Sequence, residues 1–370
     1  MLAEIPEALK DHFYTEEYYT QSETNAEEKS GYDEIYELMA PAFLLWEQAV
    51  IAELATVIPR KTKLLEVGCA TGALMDIVTE LSPQVQPTGI DISDYAVWVA
   101  QQKGHEAYSI NVEDFKAKQK FDIIFSSETL EHLDRPRDFL KGIKQNLGKQ
   151  GAFVFYVPSI NRLAAKRAGK EYVRFTNNLE HLLHFTPEFM EDAMKEYFGL
   201  RVSVKEFDSG FGPYLVGIVT ANNKLLNRFN KLMNAVRKEQ PVGGADSIFN
   251  TAVISLKFSK FKYASKLSAK LKHDKQDRQL LLAGLMGYHE GHLVESNKVF
   301  QQYLAKHPTS LVALKSLYAN ERLLYKLIEG EFYNKAEELS VLKSKGTKKQ
   351  TGPVRAKIKR LIGRLNRNQR

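Results

Sequence analysis

Short apolar runs alternate with amphipathic stretches from residue 60 to about residue 207. The runs have the length of buried strands, and the stretches between them repeat apolar positions at helical spacing. The strands that this pattern predicts are residues 63–67, 88–92, 106–110, 121–127, 151–158 and 200–207. Strands that alternate with helices of about 10–15 residues are typical of a doubly wound sheet. We therefore expect an α/β fold with a largely parallel sheet.

A seventh strand has two candidates. Residues 215–220 form a short apolar run, and residues 248–258 form a longer one. The later run is richer in β-branched residues, and residues 243–246 before it have the composition of a turn. The sequence thus favours residues 248–258, with a basic helical excursion over 213–240.

The pattern also predicts helical regions on both sides of the sheet domain. Apolar spacing over residues 42–57 indicates a helix that leads into the first strand. Helical spacing continues from residue 261 to about residue 342. The resulting prediction is a cap over residues 1–60, a sheet domain over 61–258, a helical segment over 259–342 and a basic tail over 343–370.

A glycine turn follows the first strand and carries the chemistry. The run breaks at Gly68-Cys69-Ala70-Thr71-Gly72, and a helix begins directly afterwards. The spacing fits neither a P-loop nor a dinucleotide fingerprint, and Glu66 is a carboxylate that a phosphate loop would avoid. An acidic residue beside a glycine turn suits a cationic, zwitterionic ligand such as S-adenosylmethionine (SAM).

The tip of the second strand supplies another acidic group. Asp91 follows the glycine turn by about 20 residues, where a carboxylate can bind the hydroxyl groups of a ribose. At this point the chain resembles the class I SAM-dependent methyltransferases. Residues 66–72 match their Glu-Val-Gly-x-(Gly/Ala)-x-Gly pattern, and residues 89–93 match Gly-x-Asp-(Ile/Leu)-Ser. The resemblance implies a Rossmann-like doubly wound seven-stranded sheet with an N-terminal helical cap and a C-terminal helical appendage.

The cofactor site predicted on this basis lies at the carboxyl ends of the strands. Asn111 stands where the family usually has an aspartate that contacts adenine, and its amide oxygen can still accept that hydrogen bond. The predicted SAM-binding residues are Glu66, Gly68, Cys69, Gly72, Asp91, Ile92, Asn111, Val112 and Ser127.

Histidines near the fourth strand are the candidate bases. His132 lies just past that strand, and the ordinary pKa of histidine, about 6.5, suits proton removal at neutral pH. His181 and His184, in the region after the fifth strand, are the alternatives. On a helix, Glu128, Glu131 and His132 would share one face and could bind a divalent ion. This metal site is kept as an alternative, and no metal is included in the predicted site.

Charge is distributed unevenly along the chain. The net charge is +7, and residues 343–370 carry 11 lysines and arginines with no acidic residue, so the rest of the chain carries −4. A mildly acidic body argues against nucleic acid as a partner. Apolar positions in residues 353–370 recur at helical spacing opposite a basic face, which predicts contact with an anionic membrane surface.

Cysteine content and the ends of the chain bear on location. Cys69 is the single cysteine, so the chain forms no internal disulfide, and its N-terminus lacks the basic and apolar regions of a signal peptide. We expect a cytoplasmic protein, peripheral at the inner membrane face through its tail.

Further resemblances concern the acceptor. Residues 29–36 resemble the aromatic cap of polysaccharide-cluster methyltransferases, and residues 181–187 resemble a stretch of the ubiquinone-biosynthesis O-methyltransferases and their glycan-modifying relatives. They imply O-methylation of a sugar or glycan intermediate, with a quinone or phenol as the alternative. Residues 281–308 resemble one tetratricopeptide-type hairpin, which allows a protein partner or, in place of an enzyme, a non-catalytic scaffold.

Overall fold

The computed structural model describes residues 32–160, 181–208, 212–272, 274 and 277–324. Helices and strands alternate through the first part of this range, and helices alone follow. The elements are α1 (Tyr32–Ala55), β1 (Thr62–Val67), α2 (Ala73–Leu81), β2 (Val85–Asp91), α3 (Asp94–Gln102), β3 (Ala107–Ser109), β4 (Phe121–Ser127), α4 (Pro136–Asn146), β5 (Leu147–Pro158), α5 (Pro187–Phe198), β6 (Arg201–Asp208), β7 (Pro213–Thr220), α6 (Asn223–Lys238), α7 (Ala245–Lys257), α8 (Phe261–Ala269), α9 (Arg278–His289) and α10 (Leu293–Lys306).

The strands form one seven-stranded sheet in the order β3-β2-β1-β4-β5-β7-β6. The strands β1 to β5 pair in parallel, while β7 runs antiparallel to both β5 and β6. Strand order reverses beside β1, and a crevice at such a point is where open α/β sheets bind ligands. The Rossmann-like fold that the sequence predicts is therefore confirmed, with a mixed rather than wholly parallel sheet.

Both faces of the sheet are covered. Alternate residues of β4 point to opposite sides: Ile123 and Phe125 join one core, and Ile124 joins the other. The first core contains α1, α2, α6 and α7, and the second contains α4 and α5. This arrangement leaves the carboxyl ends of the parallel strands as the edge at which side chains from several strands can meet.

The structure corrects the prediction of the closing strand. Residues 213–220 form β7, whereas residues 245–257 form the helix α7. Ten consecutive residues of α7, 247–256, are buried. Polar residues recur in this run at positions 247, 250, 251 and 255, which is helical spacing, but the β-branched content of the run favoured the wrong element.

The helical segment packs onto the sheet domain. Leu281, Leu285 and Phe300 lie in the same core as α1 and α2. The carboxylate of Glu80 in α2 accepts hydrogen bonds from the Ser310 hydroxyl and the Val312 N–H. Residues up to Asn320 therefore form one compact unit with the sheet.

Several predicted regions lie outside the described residues. They include the part of the cap before residue 32 and the tail over 343–370, and residues 161–180 also lie outside the described part. The helical residues 321–324 belong to a second unit. Among the described residues, every helix is too short or too polar to cross a bilayer.

Gly217 in β7 provides a test of the packing between β5 and β7. A Cβ at this position would lie 2.0 Å from Cζ of Phe155, a fully buried ring. We expect Gly217→Ala to lower the free energy of unfolding by about 1–3 kcal/mol, because an overpacked core shifts side chains from their preferred rotamers. Urea denaturation measures the change. Gly243→Ala is the control, since a Cβ there meets nothing within 4 Å. Equal stability of the two variants would contradict this packing.

Candidate active site

Backbone hydrogen bonds fix the glycine turn on the neighbouring strand. The N–H groups of Gly68 and Cys69 both donate to the carbonyl oxygen of Ile90, at 2.9 and 3.1 Å. Gly68 and Gly72 each have a φ of 81°, in the left-handed region where glycine carries no steric cost. At Gly68 a Cβ would also lie 2.5 Å from Oγ1 of Thr129. Glycine is therefore needed at these positions for the backbone conformation and, at Gly68, for the close packing of Thr129, whether or not a ligand approaches the turn.

Asp91 stands at the tip of β2, where the sequence places it. Its carboxylate accepts hydrogen bonds from the Ala70 N–H and the Ser93 N–H, both at 2.9 Å. Burial raises the pKa of Asp91 above its usual value, although these bonds oppose the change. An ionised carboxylate has about four lone-pair sites, so this group can still accept hydrogen bonds from a ligand.

Two further carboxyl groups are buried beside this tip. Glu66 is 5% exposed, and its Oε2 has no hydrogen-bond partner among the described residues. Burial, with repulsion from Glu47 and Asp91, raises the pKa of Glu66 well above its usual value. Burial also raises the pKa of Glu47 to about 8, although Ser127 donates a hydrogen bond to it at 2.7 Å. The crevice thus concentrates carboxyl groups that a cationic ligand would stabilise.

The remaining predicted cofactor residues differ in what they can offer. Ile92 is 53% exposed beside Asp91, and Asn111 is exposed after β3. The side chains of Cys69 and Val112 are buried in separate cores, so only their backbone groups are available to a ligand. That these residues contact the cofactor stays a prediction.

The three candidate bases lie close together. The rings of His132 and His181 are 4.9 Å apart in an edge-to-face arrangement, and those of His181 and His184 are 6.4 Å apart. Hydrogen bonds from the N–H groups of Leu182 and Leu183 to the Glu131 carbonyl join the two segments. Burial, together with the two neighbouring histidines, lowers the pKa of His181 to about 4.

The structure corrects the prediction that Glu128, Glu131 and His132 share one helical face. Residues Leu130–His132 form a 3₁₀ turn, and Glu128 precedes it with a φ of 47°, so Glu128 does not share a helical face with Glu131 and His132. Instead, ligand atoms of Glu131, His132 and His181 lie within 4.8 Å of one another. Both carboxylate oxygens of Glu131 are buried without partners among the described residues, and burial raises its pKa. These three residues could hold a divalent ion.

Glu128 faces residues that the sequence analysis missed. A hydrogen bond with Glu128 is among the causes that raise the pKa of Tyr214, after burial and charge repulsion from Glu128. The Tyr214 ring stacks on that of Tyr156 at 4.5 Å, and the Lys257 ammonium lies 5.6 Å from the centre of the Tyr156 ring. Lys257 ends an apolar helix, and nothing in its local sequence signals this position. Glu47 had a detectable signal, since it is an acidic residue within the apolar run of residues 44–51.

Part of the chain, including most of the sheet, is similar in sequence to known methyltransferases. Residues 41–203 match the family model of a methyltransferase domain. A ubiquinone biosynthesis O-methyltransferase of Glaesserella parasuis serovar 5 (strain SH0165) is 31% identical over 138 residues, which cover 34% of this chain and 55% of that protein. The enzyme of the same name from Albidiferax ferrireducens is 33% identical over 142 residues, covering 36% and 53%. The chain thus spans about half the length of these curated relatives.

A solved structure shows a weaker likeness. The plantazolicin methyltransferase BpumL in complex with SAH is 13% identical to this chain, with a TM-score of 0.42. The match covers 52% of this chain and 89% of that one. A likeness at this level carries no argument about activity.

The raised pKa of Glu47 predicts a pH-dependent stability. Between its usual value of 4.5 and its folded value of about 8, the folded protein retains a proton that the unfolded chain releases. The free energy of unfolding therefore falls as pH rises through this range and levels off above it. Glu47→Gln keeps an acceptor for Ser127 and removes the titration. We expect its stability relative to wild type to increase by on the order of 2 kcal/mol from pH 5 to pH 8 in urea denaturation.

Glu188→Gln, at an exposed position of α5, controls for the general loss of a carboxylate. A difference between Glu47→Gln and wild type that stays constant from pH 5 to pH 8 would show that Glu47 ionises normally in the folded protein.

Proposed function

Because this chain carries a class I SAM-dependent methyltransferase domain, we propose that the protein transfers the methyl group of SAM to an oxygen of a small acceptor. The observation that carries the proposal is the pair of carboxyl groups, Glu66 and Asp91, beside the glycine turn. One of them lacks a partner for a buried oxygen, and both have a raised pKa because they are buried together. A ligand with a positive charge and several hydroxyl groups supplies what this crevice lacks.

The residues present fit SAM. Asp91, held by two backbone N–H groups, is placed to accept hydrogen bonds from ribose hydroxyls, and the exposed Ile92 offers an apolar surface to adenine. An ammonium group beside the glycine turn would stabilise the ionised form of Glu66, whose pKa burial raises, and this suits the methionine part of SAM. Bound there, SAM provides an electrophilic methyl group on a sulfonium.

Proton removal from the acceptor falls to the histidine group. His132 remains the first candidate base, with His181 and His184 beside it. The pKa of His181, lowered to about 4, keeps that ring uncharged at neutral pH, so it can accept a hydrogen bond from an acceptor hydroxyl. Glu131, His132 and His181 are also the residues that would hold a divalent ion if the reaction uses one, and such an ion would acidify the same hydroxyl.

A phenolic acceptor is the better supported of the two predicted classes. The two relatives with identities above 30% described above are both named ubiquinone biosynthesis O-methyltransferases. The sugar or glycan acceptor, predicted from residues 29–36 and 181–187, gains no support from these names. We therefore propose a phenol or quinol oxygen as the methyl acceptor. The helical segment as a binding site for a protein partner remains a separate prediction.

Calorimetric titration of the full chain with SAM tests the cofactor assignment. We expect wild type to bind SAM with a Kd in the micromolar range, and Asp91→Ala to weaken binding at least tenfold, because two charge-assisted hydrogen bonds to the ligand and the tie to Ala70 are lost together. Asp192→Ala, at an exposed position in α5, should bind as wild type does.

The comparison separates a specific effect from unfolding when the melting temperatures of both variants are recorded. Wild type that binds neither SAM nor its product S-adenosylhomocysteine (SAH) would leave the scaffold hypothesis in place of an enzyme.

We also propose that the tail binds an anionic membrane surface from the cytoplasmic side. The proposal rests on the sequence alone, since residues 353–370 lie outside the described part of the chain. Each lysine or arginine near such a surface contributes about 1 kcal/mol. The full chain should float with vesicles of phosphatidylserine and phosphatidylcholine, and a variant lacking residues 343–370 should stay in solution. Equal flotation of the two forms would exclude the tail as the membrane contact.

A further inference from the structure

Lys257, the last residue of α7, lies among four aromatic rings. Its ammonium nitrogen lies between 5.6 and 6.0 Å from the centres of four aromatic rings, within the range of cation–π attraction. We call these rings the aromatic cage. They belong to Phe43, Trp46, Tyr156 and Tyr214. Lys257 is the last residue of α7 and lies outside residues 41–203, which match the methyltransferase model.

The aromatic cage adjoins the tip of β4. Tyr156 in β5 is the register partner of Ser127, and its carbonyl accepts a hydrogen bond from the Glu128 N–H at 2.9 Å. Strand β5 also pairs with β7, in which Val216 is opposite Tyr156 and Tyr214 is opposite Pro158. Neighbouring strands are about 4.8 Å apart, so the cage lies one strand from the end of β4, which borders the predicted cofactor crevice.

The cage contains hydrogen-bond donors that lack acceptors. The Trp46 indole N–H is buried and has no hydrogen-bond partner among the described residues, and the Tyr156 hydroxyl, although close enough to the Tyr214 hydroxyl to affect its pKa, makes no hydrogen bond of ordinary geometry there. Both side chains are only 2% exposed. For the Lys257 ammonium, the described part of the chain shows ring contacts but no hydrogen bond or ion pair. Aromatic faces attract a cation but, unlike carbonyl or carboxylate oxygens, have no lone pairs that accept hydrogen bonds. The ammonium, the hydroxyl and the indole N–H therefore remain without an acceptor.

The carboxyl groups nearby do not remove this requirement. Glu47 already accepts from Ser127, and burial raises its pKa to about 8, so it carries little charge at neutral pH. Glu128 attracts Lys257 through its charge, and it is also engaged by the Tyr214 hydroxyl. An unsatisfied buried donor destabilises the folded protein, and a ligand oxygen that accepts from it would remove this penalty.

On the basis of the methyltransferase function proposed above, we propose that Lys257 binds an anionic oxygen of the methyl acceptor, with the Tyr156 hydroxyl as a second donor. The ligand chemistry is a phenolate or a carboxylate, since both are acceptor-only groups that match a caged ammonium. Lys257 thereby selects and positions the acceptor, and α7 makes the C-terminal helices part of the acceptor site.

The test measures acceptor binding apart from cofactor binding. The full chain is saturated with SAH and titrated in a calorimeter with three probes: 3,4-dihydroxybenzoate, catechol and benzoate. We expect Lys257→Met to bind SAH as wild type does and to weaken binding of 3,4-dihydroxybenzoate at least tenfold, whereas Lys257→Arg should retain most of the affinity. Lys262→Met, an exposed lysine on α8, is the control for net charge.

The two simpler probes distinguish the sources of the oxygen. Binding of catechol that depends on Lys257 assigns a phenolic oxygen to the site, and binding of benzoate that depends on Lys257 assigns a carboxylate. Tyr156→Phe removes one hydroxyl and is expected to weaken the bound probe three- to tenfold. It also serves as the deciding variant if Lys257→Met loses SAH affinity through misfolding.

Two results would overturn the proposal: probe affinity unchanged in both variants, or no binding of any probe to wild type with SAH bound. Wild type that fails to bind SAH at all would instead overturn the methyltransferase function on which the proposal rests.

Discussion

The tie between the loop after β1 and the tip of β2 is the constraint on which the rest of the site depends. The Ala70 N–H binds the Asp91 carboxylate, and the N–H groups of Gly68 and Cys69 bind the Ile90 carbonyl. These bonds require backbone conformations that glycine adopts freely and that Ala70, with a φ of 45°, adopts under strain. The same bonds fix where Asp91 points and where α2 begins, so the orientation of this carboxylate and the local fold have one cause.

The same edge of the sheet contains several buried carboxyl groups. Glu47, Glu66, Asp91 and Glu131 all have a raised pKa, and burial is the largest cause for each. A core of ordinary composition would exclude such groups, because an unpaired charge loses its hydration. Their concentration at one edge of the sheet is what a positively charged ligand can stabilise, and functional sites are where such shifts cluster. Stability and ligand binding are therefore linked through the protonation of this edge.

Much of the fold could be predicted from the sequence, because the parallel strands β1, β2, β4 and β5 are short apolar runs between amphipathic helices. The glycine turn and Asp91 could also be predicted from the sequence, since short motifs of fixed spacing specify both. The choice between residues 215–220 and 248–258 failed for a physical reason. Helix α7 is buried by α1, α6, α8 and α9, and its polar side chains over residues 247–256 are uncharged and covered, so the run lacks the exposed charged face that marks most helices. Contacts made at long range decided the element.

The same limitation explains why Lys257 could not be found from the sequence. A lysine at the end of an apolar helix resembles a favourable C-terminal charge, and its local environment predicts nothing more. Only the antiparallel pairing of β7 with β5 brings Tyr214 onto Tyr156, and only the packing of α7 on α1 brings Lys257 onto Trp46. The residues that match the methyltransferase model supply Phe43, Trp46 and Tyr156 of this cage, and residues after 203 supply Tyr214 and Lys257. The acceptor recognition proposed above would therefore draw on residues outside the matched domain, because the end of α7 lies beside Tyr156 and Tyr214.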